Sequence, residues 1–298
     1  MRAFAWFLAA FLLAALIGAL IAYPAFELTS LFANFAFHRV AGRIVMLLLI
    51  AELVWLCRHL RLVHKRDLGL GLPWRRFLKV SVLWGAIGTA TAGVGAAFLL
   101  ATHLRVIQSG FTLTGVSFLR IFAIGLASGI AVALLEETVM RGAMHTAIER
   151  ESGPWAAALL TAPLFAVLHF FAKASIPAAE LHWGSGFDLL LRSFAPLSQP
   201  ALVYDSFLSW LLVGLILSLT RALTGNIAMA IGLHAGWVLV LRMLQEGTGS
   251  GDAPGYSIWV GRFDGLLGLW LLPWGVSIAA ALWLTRAFWT PPASSGRP

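Results

Sequence analysis

Residues 118–144 read FLRIFAIGLASGIAVALLEETVMRGAM. From Ile121 to Leu135 the stretch holds no charge, and then two glutamates and an arginine follow as Glu136-Glu137-Thr-Val-Met-Arg141. Apolar runs of this kind recur along the whole chain. Of its 298 residues 60% are hydrophobic and 11% charged, with a mean hydropathy of +0.86. A soluble domain carries about a quarter of its residues as charges. So few charges cannot cover a globule in water, and the chain reads as an all-α polytopic membrane protein. That excludes a nucleic-acid module, a secreted disulfide scaffold and a soluble dinucleotide-binding enzyme. The lone Cys57 permits neither an intrachain disulfide nor a thiol-based metal site.

Eight spans are expected, near 3–22, 40–57, 80–102, 118–144, 154–171, 205–223, 226–244 and 263–285, forming one transmembrane domain over 1–298. The first is too long for a cleaved signal segment, whose apolar region is typically about 7–15 residues, and is kept as a span. The net charge of +8 is read through topology. Arg58, Arg61, Lys65, Arg66, Arg75, Arg76 and Lys79 crowd one connection, which places it and both termini on the cytoplasmic side of a bacterial inner membrane. Residues 172–204 form the longest outer connection. Their Pro177, Pro196, Pro200 and Gly184-Ser-Gly186 predict a loop or surface helix, with a lid as one reading. Residues 286–298 read as a disordered tail. Most of the thirteen Trp flank spans as interfacial anchors.

The informative residues are ionisable ones inside apolar runs, because a charge at the centre of a span costs about 2.5–3.5 kcal/mol. Asp205 and Asp264 read as helix-start acids near the positive end of a helix dipole. Glu52, Glu136 and Glu137 lie deeper. On a helix Glu137 and Arg141 are four apart with the acid first, the favoured order for an ion pair. Glu136 points about 100° away and receives no partner from its own helix, which leaves it to be tuned as a general base by its neighbours. Both acids capping an amphipathic extension at the membrane surface is the plainer alternative. Glu151-Ser-Gly-Pro154 breaks the helix, and His169 lies about as far beyond that turn as Glu136 lies before it. An antiparallel hairpin therefore sets both near one height, roughly 25 Å from the tip at ~1.5 Å per residue. His234 follows on a later span, with Gly232, Ala235 and Gly236 beside it allowing close packing. A lone buried histidine is ordinarily structural. Two of them with an unpaired glutamate suggest shared water activation and an N–H donor for an oxyanion.

Glu136-Glu137-x-x-x-Arg141, Phe165-x-x-x-His169 and His234 resemble the three motifs of the type II CAAX prenyl endopeptidase (CPBP or Abi) family of glutamic intramembrane proteases, over residues 118–244. The resemblance implies an eight-helix bundle with a water-accessible cavity opening into the membrane. It implies that Glu136 and His169 activate a water that attacks a scissile carbonyl. Arg141 would orient the glutamates and His234 would hold the oxyanion. The expected reaction needs no cofactor, and the expected partners are the bilayer and a membrane-embedded or membrane-associated protein or peptide. The family often places Asn four residues after the third-motif histidine, where this chain has Val238. Trp237 is the candidate substitute donor.

Other chemistries fit less well. No His-Glu-x-x-His occurs, the order of Gly184-Ser-Gly-Phe-Asp188 and Tyr204-Asp205 is reversed from the presenilin pattern, and Gly125-Leu-Ala-Ser128-Gly129 reads as a helix-packing seam. A zinc site of Glu136, His169 and His234 is chemically conceivable and less favoured. A non-proteolytic protein of the same fold stays open: a proton-linked transporter using Glu52, Glu136 and Glu137, or an immunity-type binding scaffold. Nothing in the sequence selects a substrate or an oligomeric state.

Overall fold

A computed structural model describes residues 1–109, 111, 114–171, 174–253 and 256–289. The protein is an all-α polytopic membrane protein, and among the described residues six helical stretches are long and apolar enough to cross a bilayer, the continuous run Gly115–Leu168 counting as one. In chain order the helices are α1 (Arg2–Ser30), α2 (Phe37–His59), α3 (Trp74–Ala101), α4 (Gly115–Glu137), α5 (His145–Leu168), α6 (Ser185–Phe194), α7 (Pro200–Thr224), α8 (Ala228–Gly247), α9 (Tyr256–Val260) and α10 (Leu271–Leu284). A short antiparallel ribbon pairs β1 (Arg105–Ile107) with β2 (Thr248–Ser250), with Val106 opposite Gly249.

Two expectations about the elements change. The helix carrying the glutamates does not run on unaltered. Residues Thr138–Met144 wind as a π-helix between α4 and α5, and Gly142 lies so close to Leu68 that an added Cβ would stand 2.8 Å from its carbonyl oxygen. The predicted break follows at Gly153, whose φ of 83° and ψ of 167° interrupt α5 just before Pro154. Left-handed φ costs glycine nothing, and proline starts a helix well because its φ is already set. The predicted last span, 263–285, is the other change. Only the 14 residues Leu271–Leu284 are helical there, too few for the ~20 that a bilayer asks. Residues 261–270 turn instead. Asp264 Oδ1 accepts the N–H groups of Leu266 and Leu267, both at 2.8 Å, and Asp205 Oδ2 accepts that of Arg262 at 3.2 Å. The acids read as helix starts therefore hold a loop, with Asp205 fully buried inside α7.

The chain divides into two compact units. The first holds Met1–Val63 and Val167–Val203. Here α1 and α2 approach at Gly18, where an added Cβ would strike Val45, and α6 lies on α1 with Gly186 against the carbonyl of Ala19. Ala22, Phe37, Ala41 and Ile176 close this core. The surface helix expected in the long connection is α6, while residues 172 and 173 of that segment lie outside the described residues. Of the expected tail, Arg286–Phe288 forms a 3₁₀ turn and residues 290–298 lie outside the described residues.

The second unit, His64–Ala166 with Tyr204–Pro298, is organised around α8. Lipid offers no hydrophobic drive for helices to associate, so small residues that let backbones touch do the work. Added Cβ atoms at Gly232 and Gly236 would strike the carbonyls of Ser81 and Gly85 on α3, and one at Gly88 would stand 2.6 Å from Leu233 O. On the other side Gly129 of α4 would come within 2.7 Å of Ala235 O. Ala133 and Ala235 continue this seam in the buried core. The helix with His234 is thus pressed against the helix with the glutamates.

Overpacking such seams costs about 1–3 kcal/mol. Gly129→Ala and Gly232→Ala should each lower the unfolding midpoint of the purified protein in detergent. Gly93→Ala, where nothing lies within 4 Å of the new carbon, should leave the midpoint unchanged or raised. Equal effects at all three positions would contradict the seam.

Candidate active site

Close packing of α4 on α8 brings Glu137 to His234. Glu137 Oε1 lies 2.8 Å from His234 Nδ1 and 3.0 Å from Arg141 Nη1. Glu137 and Arg141 have no exposed surface, and His234 is 3% exposed. An ionised carboxylate can only accept, so with Arg141 beside it the contact to His234 is an Nδ1–H donation, and that fixes the ring's orientation. The i,i+4 ion pair expected from the sequence is present despite the π-helical turn.

Arg141 is itself held from several sides. Its Nη2 donates to the carbonyl of Gly214 on α7 at 3.0 Å, and the Phe165 ring lies 4.4 Å from the guanidinium carbon. Desolvated cation–π contacts of this kind are worth about 2 kcal/mol. Phe165 also meets the His234 ring edge-on, with centroids 6.1 Å apart. The far limb of the α5 kink therefore returns to the level of Arg141, as the hairpin reading required.

Glu136 differs from its neighbour. It is partly exposed, with 32% of its side-chain surface accessible, and its Oε2 is buried and makes no hydrogen bond among the described residues. That oxygen stands 3.9 Å from His234 Nε2, beyond hydrogen-bond range and close enough for a single bridging water. One imidazole thus lies between two carboxylates, one locked and one unengaged.

Beside His234 opens an apolar cavity of about 50 Å³, whose lining includes Trp210, Trp237, Val238, Trp270 and Trp274. Val238 adds no donor there. Trp237 does not fill the gap either, since its indole N–H is donated to Thr91 Oγ1 at 3.2 Å. The substitute-donor expectation gives way to a structural tie between α8 and α3. Four of the five motif residues, Glu136, Glu137, Arg141 and His234, come together in the second unit. His169 occupies the half-buried turn after Leu168 and belongs to the first. Among the described residues no group of three or more His, Cys, Asp or Glu is placed to hold a metal ion.

Arg221 lies in the last turn of α7. It is 7% exposed, with Nε donating to Arg141 O at 3.0 Å and Nη2 to Thr146 Oγ1 at 2.9 Å. A signal was present, because Arg221 is the sole Asp, Glu, Lys or Arg between Asp205 and Arg242. Gly214 carried none, since its part is played by a backbone carbonyl.

A multi-pass helical protein with a buried Glu–Arg–His network and a second, unengaged carboxylate is the class that fold and site define. Residues 118–240 match the family model described as type II CAAX prenyl endopeptidase Rce1-like. The match contains Glu136, Glu137, Arg141, His169 and His234. No curated protein and no solved structure matches the chain.

Removing one partner of a buried ion pair strands the other charge and costs about 3–5 kcal/mol. Arg141→Met should therefore lower unfolding stability far more than Glu136→Gln. Adding Glu137→Gln to Arg141→Met should recover part of the loss. Unfolding in detergent measures all three, and a double variant no better than Arg141→Met would rule out a stranded charge.

Proposed function

We propose that this CAAX-protease-type membrane protein is an endopeptidase that hydrolyses a peptide bond of a membrane-embedded or membrane-associated substrate, without a metal or cofactor. The observation that carries the reading is the unengaged Glu136 carboxylate, one water's breadth from an imidazole that a second, paired glutamate already orients. Glu136 is the general base, and His169 shares in placing the water. What supports His169 is the family match, which spans it together with Glu136. Water attacks the scissile carbonyl as Glu136 takes its proton. The carbonyl oxygen becomes an oxyanion facing His234 Nε2, and for that nitrogen to donate the ring must carry both protons, with Glu137 as counter-charge. Collapse breaks the C–N bond, and the proton held by Glu136 passes to the leaving amine. Atoms and charges balance as peptide plus water giving acid plus amine.

The seven basic residues between Arg58 and Lys79 support an inner-membrane orientation with both termini cytoplasmic. One observation favours a second reading. Val238 is apolar and the Trp237 N–H is engaged by Thr91, so neither supplies a second oxyanion donor, and losing one can cost about 10²–10³ in rate. That suits a non-proteolytic protein of the same fold, a proton-linked transporter or binding scaffold. Comparing the terminal peptides of membrane proteins with and without this chain separates the two readings. Glu136→Gln and His169→Ala should each abolish cleavage with helicity and expression intact. Continued cleavage by either variant removes the mechanism, and proton flux in proteoliposomes that Glu136→Gln alters, with no cleaved product, favours the second reading.

A further inference from the structure

Helix α7 reaches the turn behind the glutamates at two points seven residues apart, about two helical turns and so nearly on one face. The carbonyl of Gly214 accepts from the Arg141 side chain, and the Arg221 side chain donates to the Arg141 carbonyl. Gly214 packs tightly on α5, since an added Cβ would stand 3.1 Å from Ala162 Cα and its neighbour would have to give. The second guanidinium arm of Arg221 reaches Thr146 Oγ1, just past the π-helical segment. A π-turn bonds each N–H one residue further back than an α-helix does and seldom persists without outside help. Here the help is a buried cation bonded to the backbone of the same residue whose side chain pairs with Glu137.

We propose that Arg221 is a positioning residue. It holds the π-turn in the register at which Arg141 reaches Glu137, so that Glu137 Oε1 meets His234 Nδ1–H. It acts through its hydrogen bonds to Arg141 O and Thr146 Oγ1 rather than at the reacting atoms. Its consequence for rate rests on the proteolytic reading, whereas the hydrogen bond it sustains does not.

The test uses the full chain in nanodiscs with ¹⁵N-labelled histidine. The His234 signal is identified among eight histidines by its loss in His234→Gln. The unaltered protein should show a hydrogen-bonded His234 Nδ1–H. Arg221→Gln should lose that signal, Arg221→Lys should retain it in part, and Arg242→Gln, at an exposed site, should leave it unchanged. In peptide cleavage Arg221→Gln should lower kcat by about 10- to 100-fold with KM unchanged, the scale set by small misplacement of catalytic groups. Should Arg221→Gln fail to fold, Thr146→Val removes one Arg221 contact and should weaken the same signal. A lowered unfolding midpoint with an unaltered His234 signal would make Arg221 merely structural and overturn the proposal. Loss of the signal in a protein that cleaves nothing would uphold the positioning and sink the proteolysis.

Discussion

The Glu137 carboxylate sits between a guanidinium and an imidazole with no access to water, and the rest of the site is arranged around it. An ionised carboxylate in such a place is tolerable only while its partners stay in reach, because its desolvation is repaid by them alone. Arg141 Nη1 and His234 Nδ1 both lie within 3.0 Å of the same oxygen. That shared oxygen couples α4 to α8 and leaves the Nε2 edge of the imidazole toward Glu136. The division of labour between adjacent glutamates follows from helix geometry, since neighbours in sequence face about 100° apart. One is enclosed between helices, and the other borders open space.

The close approach that makes this contact available comes from residues with almost no side chain. A bilayer gives helices little reason to pack, so affinity resides in van der Waals contact between backbones. Gly85, Gly88, Gly232 and Gly236 bring α3 to α8, and Gly129 brings α4 to its other side. A larger residue at Gly129 would press against Ala235, the neighbour of His234, and so strain the His234–Glu137 contact. Packing and chemistry are therefore not separable here: the seam sets the hydrogen-bond length.

Much of this was legible in the sequence. The four-residue spacing announced the Glu137–Arg141 pair, Gly153-Pro154 announced the break, and the small residues around His234 and in Gly125-x-x-x-Gly129 announced close packing. What escaped reading depends on contacts between distant segments. The π-turn at Thr138–Met144 leaves no compositional mark, because it is sustained by Arg221 from another helix and by close approach to Leu68. Arg221 carries no signal of its partner, since position along a run does not reveal which side a long side chain folds toward. The final span looked long because its residues are apolar throughout, yet Asp264 and Asp205 bind backbone N–H groups that a helix would otherwise use. Trp237 had the right chemistry for an oxyanion donor, and only the structure shows its N–H donated to Thr91 Oγ1.

The asymmetry between the two glutamates is what makes the site more than a structural ion pair. It rests on Glu137 remaining ionised without water, a property that can be observed without any substrate. Infrared difference spectra between the protein and Glu137→Gln, recorded in lipid at neutral pH, read the protonation of that single side chain. An ionised carboxylate band lost in the variant is the predicted result. Loss of a protonated carboxylic acid band instead would contradict the account, because a neutral Glu137 could neither form an ion pair with Arg141 nor serve as counter-charge to a doubly protonated His234.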